Sequence, residues 1–184
     1  MEPLQRDIKY TYADYATWDG DERYELITGI PYLMASPSEA HQRISMRLIM
    51  QLGGFLQGKP CELFHAPFDV CLPADGDEDD TVVQPDLLVV CDKTKLDGKR
   101  CNGVPDMIIE IVSPSSSGHD RLTKFNLYLN AGVREYWVVD PDVSAVQIHL
   151  LTEAGYTASA YGIADTVNVH VLDGCQIHLE DVFA

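Results

Sequence analysis

The amino-acid sequence predicts an α/β protein in which helices flank a mixed central sheet. From residue 36 onward, the predicted elements follow the order helix, three strands, helix, strand. The helix between the last two strands indicates a right-handed crossover, and such a crossover pairs its two strands in parallel. A chain of 184 residues, 46% hydrophobic and 23% charged, is long enough to bury one full core. We therefore expect residues 1–184 to form a single domain.

The first predicted elements are a hairpin and a helix. YELITGIPYLM, residues 24–34, predicts two short strands around Thr28 and Gly29. The next segment, residues 36–39, combines a serine N-cap at Ser36, a proline at the first helical position and a glutamate at the third. The helix that begins there carries apolar residues at helical spacing, and Gly58 and Pro60 end it. These apolar residues are Ile44, Leu48, Leu52 and Phe55 or Leu56.

Three predicted strands follow, at residues 62–72, 86–91 and 106–112, and an acidic loop, DGDEDD, separates the first two. Asp120 is the predicted N-cap of a second helix, in which Leu122, Phe125 and Leu129 form one apolar stripe and Ala131-Gly132 closes the element. EYWVVDP, residues 135–141, predicts a buried strand. Residues 143–184 read as further alternating strands, such as AVQIHL and VNVHVL.

The cysteine pattern indicates a reducing compartment. The five cysteines include no CxxC pair and are odd in number, so we expect reduced thiols, most of them in the core, at positions 61, 71, 91, 101 and 175. The first ten residues contain no apolar leader, and no apolar run approaches the roughly 20 residues that span a bilayer. The expectation is a soluble cytoplasmic protein without membrane contact. The net charge of -16 argues against unspecific binding to polyanions.

Glu110 is an anomaly in the third predicted strand, because it interrupts the apolar run of residues 107–112. A buried carboxylate costs several kcal/mol unless a proton, a basic side chain or a metal ion compensates it. The alternative is a strand-end residue that reaches solvent. Alternation places Asp106, Ile108, Glu110 and Val112 on one face, and Asp86 opens the preceding strand. If the register lets the Asp86 and Glu110 carboxylates converge, a hard cation such as Mg²⁺ would resolve their repulsion.

Five segments carry a resemblance to a known family. YELITG, PSEAH, QPDLLVV, PDMIIEIVSPSS and DRLTKFNLYLNAGVREYWVVDP, within residues 11–141, resemble the PD-(D/E)xK nuclease superfamily and, within it, the Uma-two family of restriction endonucleases. The resemblance implies a restriction-endonuclease-like αβββαβ core at residues 24–141, with an N-terminal hairpin. Residues 142–184 would be a C-terminal β extension of the same domain.

The resemblance also implies a metal site. Asp86, Glu110 and the backbone carbonyl of Ile111 would hold Mg²⁺ or Mn²⁺, and Glu25 resembles the additional acid that completes the shell or holds a second ion. Val112 stands where the superfamily motif places its lysine. The resemblance implies that Lys124, on the second helix, takes over that role.

Helical geometry tests this relocation. At about 100° per residue, Asp120, Lys124 and Tyr128 share one face of the second helix, away from the apolar stripe. Lys124 would then point along the sheet toward the acids or into solvent. Asp120, Tyr128, His41 in the first helix and His119 before the second are possible accessory residues. The serines at 113 and 115–117 form no G-x-S-x-G elbow, so turn and capping roles explain them better than a serine hydrolase does.

The resulting functional prediction is a metal-dependent endonuclease that hydrolyses phosphodiester bonds in DNA, with Asp86, Glu110 and Lys124 as catalytic residues. Two alternatives remain open: a binding module that keeps the fold without catalysis, which the net charge favours, and a hydrolase of a small phosphorylated molecule. The exposed edges of the C-terminal strands would allow a homodimer. A local basic patch for DNA would draw on Arg43, Arg47, Lys93, Lys95, Lys99, Arg100, Arg121 and Arg134.

Overall fold

The computed structural model describes residues 8–73, 79–112 and 118–184, except for the side chains of residues 118–121. The helices are α1 (Tyr12–Tyr15), α2 (Glu39–Leu56), α3 (Gly118–Ala131) and α4 (Leu179–Phe183). The strands are β1 (Tyr24–Ile27), β2 (Ile30–Leu33), β3 (Glu62–His65), β4 (Asp69–Cys71), β5 (Val82–Val83), β6 (Leu87–Val90), β7 (Arg100–Asn102), β8 (Met107–Ile111), β9 (Glu135–Asp140), β10 (Ala145–Thr152), β11 (Gly155–Gly162), β12 (Thr166–Asn168) and β13 (Gln176–His178).

The central sheet is mixed, as the sequence predicts. Its strand order is β11-β10-β9-β8-β6-β3, and only β8 and β9, which flank α3, pair in parallel within it. The succession α2, β3, β6, β8, α3, β9 is the predicted αβββαβ order, so the fold class is confirmed. The predicted hairpin, β1 and β2, joins β5, β4 and β7 in a second sheet.

The two helices cover opposite faces of the central sheet. One apolar cluster joins α2 to the side chains of Leu87, Met107 and Ile109, while a second cluster joins Tyr128 of α3 to Leu88 and Ile108. Successive side chains of a strand point to opposite faces, which explains why the apolar run of β8 is buried on both sides. Glu110 alternates with the α2-facing residues and therefore lies on the α3 side.

Both helices begin at residues other than those predicted. The N-cap of α2 is Ser38 and not Ser36, because the Ser38 hydroxyl accepts a 3.2 Å hydrogen bond from the backbone N–H of His41. The predicted end is confirmed near Gly58, which has a φ of 73°. Helix α3 begins at Gly118, so Asp120 lies inside its first turn and the prediction of an Asp120 N-cap is wrong.

The buried face of α3 also differs from the predicted stripe. Leu122 is 58% exposed, whereas Tyr128 is fully buried and packs edge-to-face on Tyr136 at 5.1 Å. Phe125 and Leu129 are partly buried as predicted. The helix is thus rotated toward its Lys124 and Tyr128 side, because the partners of these two polar groups lie on the sheet beneath it.

Two further predictions need correction. The single strand expected at residues 62–72 is divided into β3 and β4, which belong to different sheets, and Pro67, without an N–H to donate, lies between them. Cys61 and Cys91 form a disulfide and are not reduced thiols. Cys61 precedes Glu62 of β3, and Cys91 follows Val90 of β6. Glu62 and Val90 are paired across these two strands, and the spacing of the cysteines along the sequence does not reveal this pairing. The other three cysteines are buried free thiols, as predicted.

The C-terminal region extends the central sheet. Strands β10 and β11 are the last two strands at one end of the central sheet. The segment from β12 to α4 packs against α2. The sequence analysis did not predict α4. Strand β11 is an edge strand with largely exposed side chains, so pairing with a second copy stays a prediction. No helix within the described ranges has the length and apolar character needed to cross a bilayer.

Glu135 connects the central sheet to the C-terminal segment. Its buried carboxylate accepts 2.8 Å hydrogen bonds from the indole N–H of Trp137 and from the backbone N–H of Val171. Glu135→Ala should lower the free energy of unfolding by roughly 3 kcal/mol, because the buried Trp137 indole and the partly buried Val171 N–H lose their acceptor. Urea unfolding measures this loss, with Glu153→Ala in the exposed β10–β11 turn as the matched control. Equal stability of the two variants would contradict the connecting role.

Candidate active site

Asp86 and Glu110 lie opposite each other on neighbouring strands. The antiparallel register of β6 and β8 pairs Leu87 with Ile109, and continuing it by one residue pairs Asp86 with Glu110. Side chains at directly opposed positions of an antiparallel pair share one face. Both carboxylates line the same cleft, and the negative charge of Asp86 acts on Glu110. The register therefore meets the condition under which the sequence analysis expected these acids to converge.

Asp86 is held by one side chain and one backbone group. Its Oδ1 lies 3.0 Å from Nε2 of His41, which the first turn of α2 places above the strand end. Its Oδ2 accepts a 2.7 Å hydrogen bond from the N–H of Ile111. Burial lowers the pKa of His41, but the bond to Asp86 and the charges of Asp86 and Glu110 outweigh burial and raise it. His41 therefore carries a proton toward Asp86 more readily than a free histidine does.

Glu110 is held by two side chains of α3. Its Oε1 accepts a 2.6 Å hydrogen bond from the Tyr128 hydroxyl and lies 3.2 Å from the Lys124 ammonium. Burial, together with the charges of Asp86 and Glu25, raises the pKa of Glu110 to about 7 although Lys124 opposes this shift. Tyr128, buried against these carboxylates, has a pKa well above its ordinary value.

Glu25, on strand β1, completes the group of acids. Its side chain is 5% exposed, and its Oε2 lies 2.9 Å from the Lys124 ammonium. Its Oε1 accepts a 2.8 Å hydrogen bond from the backbone N–H of Gln84. Burial lowers the pKa of Lys124, but Glu110 and Glu25 outweigh burial and raise it, so the ammonium stays charged.

A polar network behind Glu25 was not predicted from the sequence. The Gln84 amide nitrogen donates to Asp69 at 2.8 Å and lies 3.0 Å from the hydroxyl of Tyr15, which itself donates to Asp69 at 3.0 Å. In the sequence, Gln84 is only the first residue of the QPDLLVV segment. Tyr15 and Asp69 belong to distant elements, and no local pattern connects them to residue 84. The network fixes the backbone that donates to Glu25.

The site carries an excess of negative charge that suits a hard cation. Three carboxylates, of Glu25, Asp86 and Glu110, face one ammonium and one imidazole. Carboxylate oxygens are the ligands that Mg²⁺ and Mn²⁺ prefer, so the donor set fits a divalent ion in its chemistry. Within the described residues, no three His, Cys, Asp or Glu side chains are already arranged around a common centre. A cation would therefore compete with Lys124 for Glu110 and with His41 for Asp86.

The acids lie in a cleft of about 1080 Å³. This volume is at the upper end of pockets for small molecules, which span roughly 300–1,000 Å³. Apolar side chains form much of its wall, and several are exposed although large, among them Leu33, Met46 and Leu122. The cleft can accept a ligand of nucleotide size that brings both polar and apolar surface.

Some predicted site residues remain predictions. The Ile111 N–H donates to Asp86, and the role of the Ile111 carbonyl as a metal ligand stays a prediction. Val112 lines the cleft where the motif lysine would stand, and the Lys124 ammonium lies between Glu25 and Glu110 instead. The side chains of His119 and Asp120 lie outside the described part of the chain, so their accessory roles are untested.

Seven of the eight basic residues considered for a DNA patch lie outside the described lining of the cleft, and the side chain of the eighth, Arg121, is outside the described part of the chain. Among the described lining residues of the cleft, the only Lys and Arg side chains are Arg23 and Lys124. Several of the eight predicted patch residues pair with nearby acids: Arg43 with Glu39, Lys93 with Glu62, Arg100 with Asp97 and Arg134 with Asp106. Their charge is thus largely compensated locally and does not extend into the cleft.

Comparisons with known proteins agree with this fold. The family model Uma2, described as "Putative restriction endonuclease", matches residues 12–180. A crystal structure described as a putative nuclease belonging to DUF820, from Anabaena variabilis, superposes with a TM-score of 0.76 at 17% identity and covers 95% of this chain and 97% of its own. The uncharacterized protein slr1290 of Synechocystis sp. is 29% identical over 145 residues, 77% of this chain and 73% of that protein.

Proposed function

The chain belongs to the Uma2 family, and on that premise we propose that it is a metal-dependent nuclease that hydrolyses phosphodiester bonds in DNA. The family and the fold support the coarser statement that the chain is a nuclease. The observation that carries the finer proposal is the pairing of Asp86 with Glu110 beside the Lys124 ammonium, in a cleft with excess negative charge.

The proposed roles follow from the contacts of each side chain. Asp86 and Glu110 would hold the divalent ion, with the Ile111 carbonyl and Glu25 as further ligands. Such an ion, when bound, supplies the Lewis acidity that polarises a phosphoryl oxygen and acidifies water. The Lys124 ammonium, 3.2 Å from Glu110 and 2.9 Å from Glu25, would be placed to stabilise negative charge that develops on a phosphate held beside these carboxylates.

The partners of the acids have positioning roles. His41 orients the Asp86 carboxylate through its 3.0 Å contact, and Tyr128 orients Glu110 through its 2.6 Å hydrogen bond. Both residues come from helices that pack on opposite faces of the sheet, so the two carboxylates are fixed by independent parts of the fold.

Hydrolysis of a small phosphorylated molecule is a second candidate. The scarcity of Lys and Arg among the described lining residues favours it, because a groove that holds a duplex needs clustered positive charge. A purely non-catalytic binding module is less consistent with an acid set that retains its lysine. If the protein hydrolyses a small phosphodiester and does not cleave DNA, this second candidate is the function.

Asp86→Asn tests the proposed function. Asparagine can still accept the Ile111 N–H but gives up the charge that would attract the cation. We expect cleavage of plasmid DNA in Mn²⁺ to fall at least about 100-fold, since even residues behind metal ligands contribute 10–100-fold. Asp142→Asn, in the exposed β9–β10 turn, should retain wild-type activity. Cleavage that persists in chelator, or is equal in both variants, would contradict the metal-dependent mechanism.

A further inference from the structure

The described lining of the cleft offers few cationic side chains to a phosphate backbone. Its described lining carries two cations against four carboxylates, namely Arg23 and Lys124 against Glu25, Asp86, Glu110 and Asp140. Lys124 already lies between two of these carboxylates. Duplex binding draws most of its affinity from Lys and Arg placed on successive phosphates. Few Lys and Arg side chains are thus available to bind successive phosphates, so contacts with other parts of the substrate would add affinity.

Unsatisfied polar atoms suggest what those groups contact. In the described part of the chain, three buried side-chain atoms have no hydrogen-bond partner: His41 Nδ1, Gln84 Oε1 and His149 Nε2. All three residues line this cleft. Buried polar atoms are normally paired, so a water, an ion or a bound ligand can satisfy those that have no partner within the protein. His149 is the farthest of the three from the acids by strand position, because it lies on β10.

The strand register places a second region beside the acids. Across β8, β9 and β10, Glu110 aligns with Val138 and Gln147, and Ile108 aligns with Tyr136 and His149. Aligned residues share one face of the sheet, and strands lie about 4.8 Å apart, so Gln147 is about 10 Å from Glu110. A nucleoside attached to a phosphate at Glu110 can reach this distance.

The second region is centred on the Gln147 amide and the His149 ring, and Asp140 lies two residues along β9 from Val138. His149 is only 4% exposed, its ring packs edge-to-face on Phe125 at 4.7 Å, and burial lowers its pKa. The exposed amide of Gln147 offers both hydrogen-bond donors and an acceptor, and the exposed Leu122 adds apolar surface. Apolar and aromatic surface with neutral hydrogen-bonding groups is the combination by which proteins bind unpaired bases.

We propose that the region around Gln147 and His149, the base pocket, receives an unpaired nucleobase adjacent to the phosphate that is cut. The substrate is then a single strand or a duplex from which one base is flipped. A base that stays paired and stacked cannot enter such a pocket. This proposal rests on the proposed nuclease function and adds the form of its substrate.

The test compares oligonucleotides with and without a base. Wild-type protein in Mn²⁺ should cut a labelled single strand at a defined bond, and an abasic nucleotide at one neighbouring position should reduce kcat/KM roughly tenfold. Gln147→Ala should cause a similar loss on the intact strand and no further loss on the abasic strand. His149→Phe, which keeps the ring packing without the nitrogens, should behave like Gln147→Ala. Gln57→Ala, at the exposed end of α2 and outside the described lining, is the matched control.

The outcomes separate the two proposals. A duplex cut as fast as the single strand, with the same response to the abasic position and to Gln147→Ala, identifies a flipped base. Equal rates for intact and abasic strands in every variant overturn the base pocket while the nuclease function stands. If neither the single strand nor the duplex is cut, the proposed nuclease function is wrong. Fluorescence anisotropy of the labelled single strand then tests whether the base pocket binds a base. The base-pocket proposal is overturned if neither the abasic nucleotide nor Gln147→Ala weakens binding of the strand.

Discussion

Lys124→Ala is expected to slow cleavage strongly and to destabilise the metal-free protein. The ammonium lies 2.9 Å from Glu25 and 3.2 Å from Glu110, and all three side chains are largely buried. Without it, two buried carboxylates lose their only described cationic partner, which costs roughly 3–5 kcal/mol in free energy of unfolding. Cleavage should fall about 10²–10³-fold, as when one donor to a developing negative charge is removed.

Lys93→Ala is the matched control for this change. It also breaks a lysine–glutamate pair, at 2.6 Å to Glu62, but both side chains are about half exposed. Surface pairs contribute about 1 kcal/mol or less, so this variant should unfold near the wild-type urea concentration. Mn²⁺ should recover part of the stability lost in Lys124→Ala, because the ion neutralises the same acids. Wild-type cleavage by Lys124→Ala would exclude this lysine from the mechanism.

Glu110→Gln is expected to remove the response to metal without unfolding the protein. The glutamine oxygen can still accept from Tyr128 and Lys124, and Lys124 keeps Glu25 as its counter-ion. In chelator the variant should melt at or above the wild-type temperature, because a buried charge and its repulsion from two other acids are gone. The stabilisation that Mn²⁺ gives the wild type, RT ln(1 + [L]/Kd), should largely vanish.

The pH dependence of this variant follows from the raised pKa of Glu110. A carboxyl group whose pKa rises from 4.5 to about 7 on folding opposes folding when it ionises, by on the order of 3 kcal/mol above pH 7. The penalty is absent below the pKa of the unfolded chain and grows as pH rises toward 7. In chelator, the advantage of Glu110→Gln over wild type should therefore be larger at pH 8 than at pH 5. Glu62→Gln, at a half-exposed site, should show no such difference. A Glu110→Gln variant that melts far below wild type in chelator, with no metal response in either protein, would make Glu110 a structural residue.

The sequence contained most of the fold because its main signals are local. Hydrophobic periodicity and turn residues predicted the hairpin, α2, β6, β8, α3 and β9 in their correct order, and the crossover rule predicted the parallel pairing of β8 with β9. Boundaries were less certain, because Ser36 and Ser38 are equally good N-caps by composition. Only the three-dimensional contact of Ser38 with the His41 N–H distinguishes them.

Glu110 was the site residue most easily predicted, because it is a charged residue inside an apolar strand. Glu110 stands out within an apolar run, whereas its register with Asp86 was left open by the sequence and is given by the observed pairing of β6 with β8. The orientation of α3 was not predictable from its apolar stripe. That orientation also depends on the Glu110 and Glu25 carboxylates, which bind Lys124 on the inner side of the helix. Gln84 was missed as a site residue for a similar reason, since its contacts depend on elements far apart in the chain.

The central claim is that Asp86 and Glu110 together bind a divalent cation in the cleft. A crystal structure of the protein with saturating Mn²⁺, measured for anomalous scattering, tests it most directly. The account predicts one peak roughly 2.0–2.3 Å from a carboxylate oxygen of each residue, with Glu110 released from Lys124. An empty cleft at saturating Mn²⁺, or a cation held by other carboxylates while Lys124 still contacts Glu110, would contradict the account.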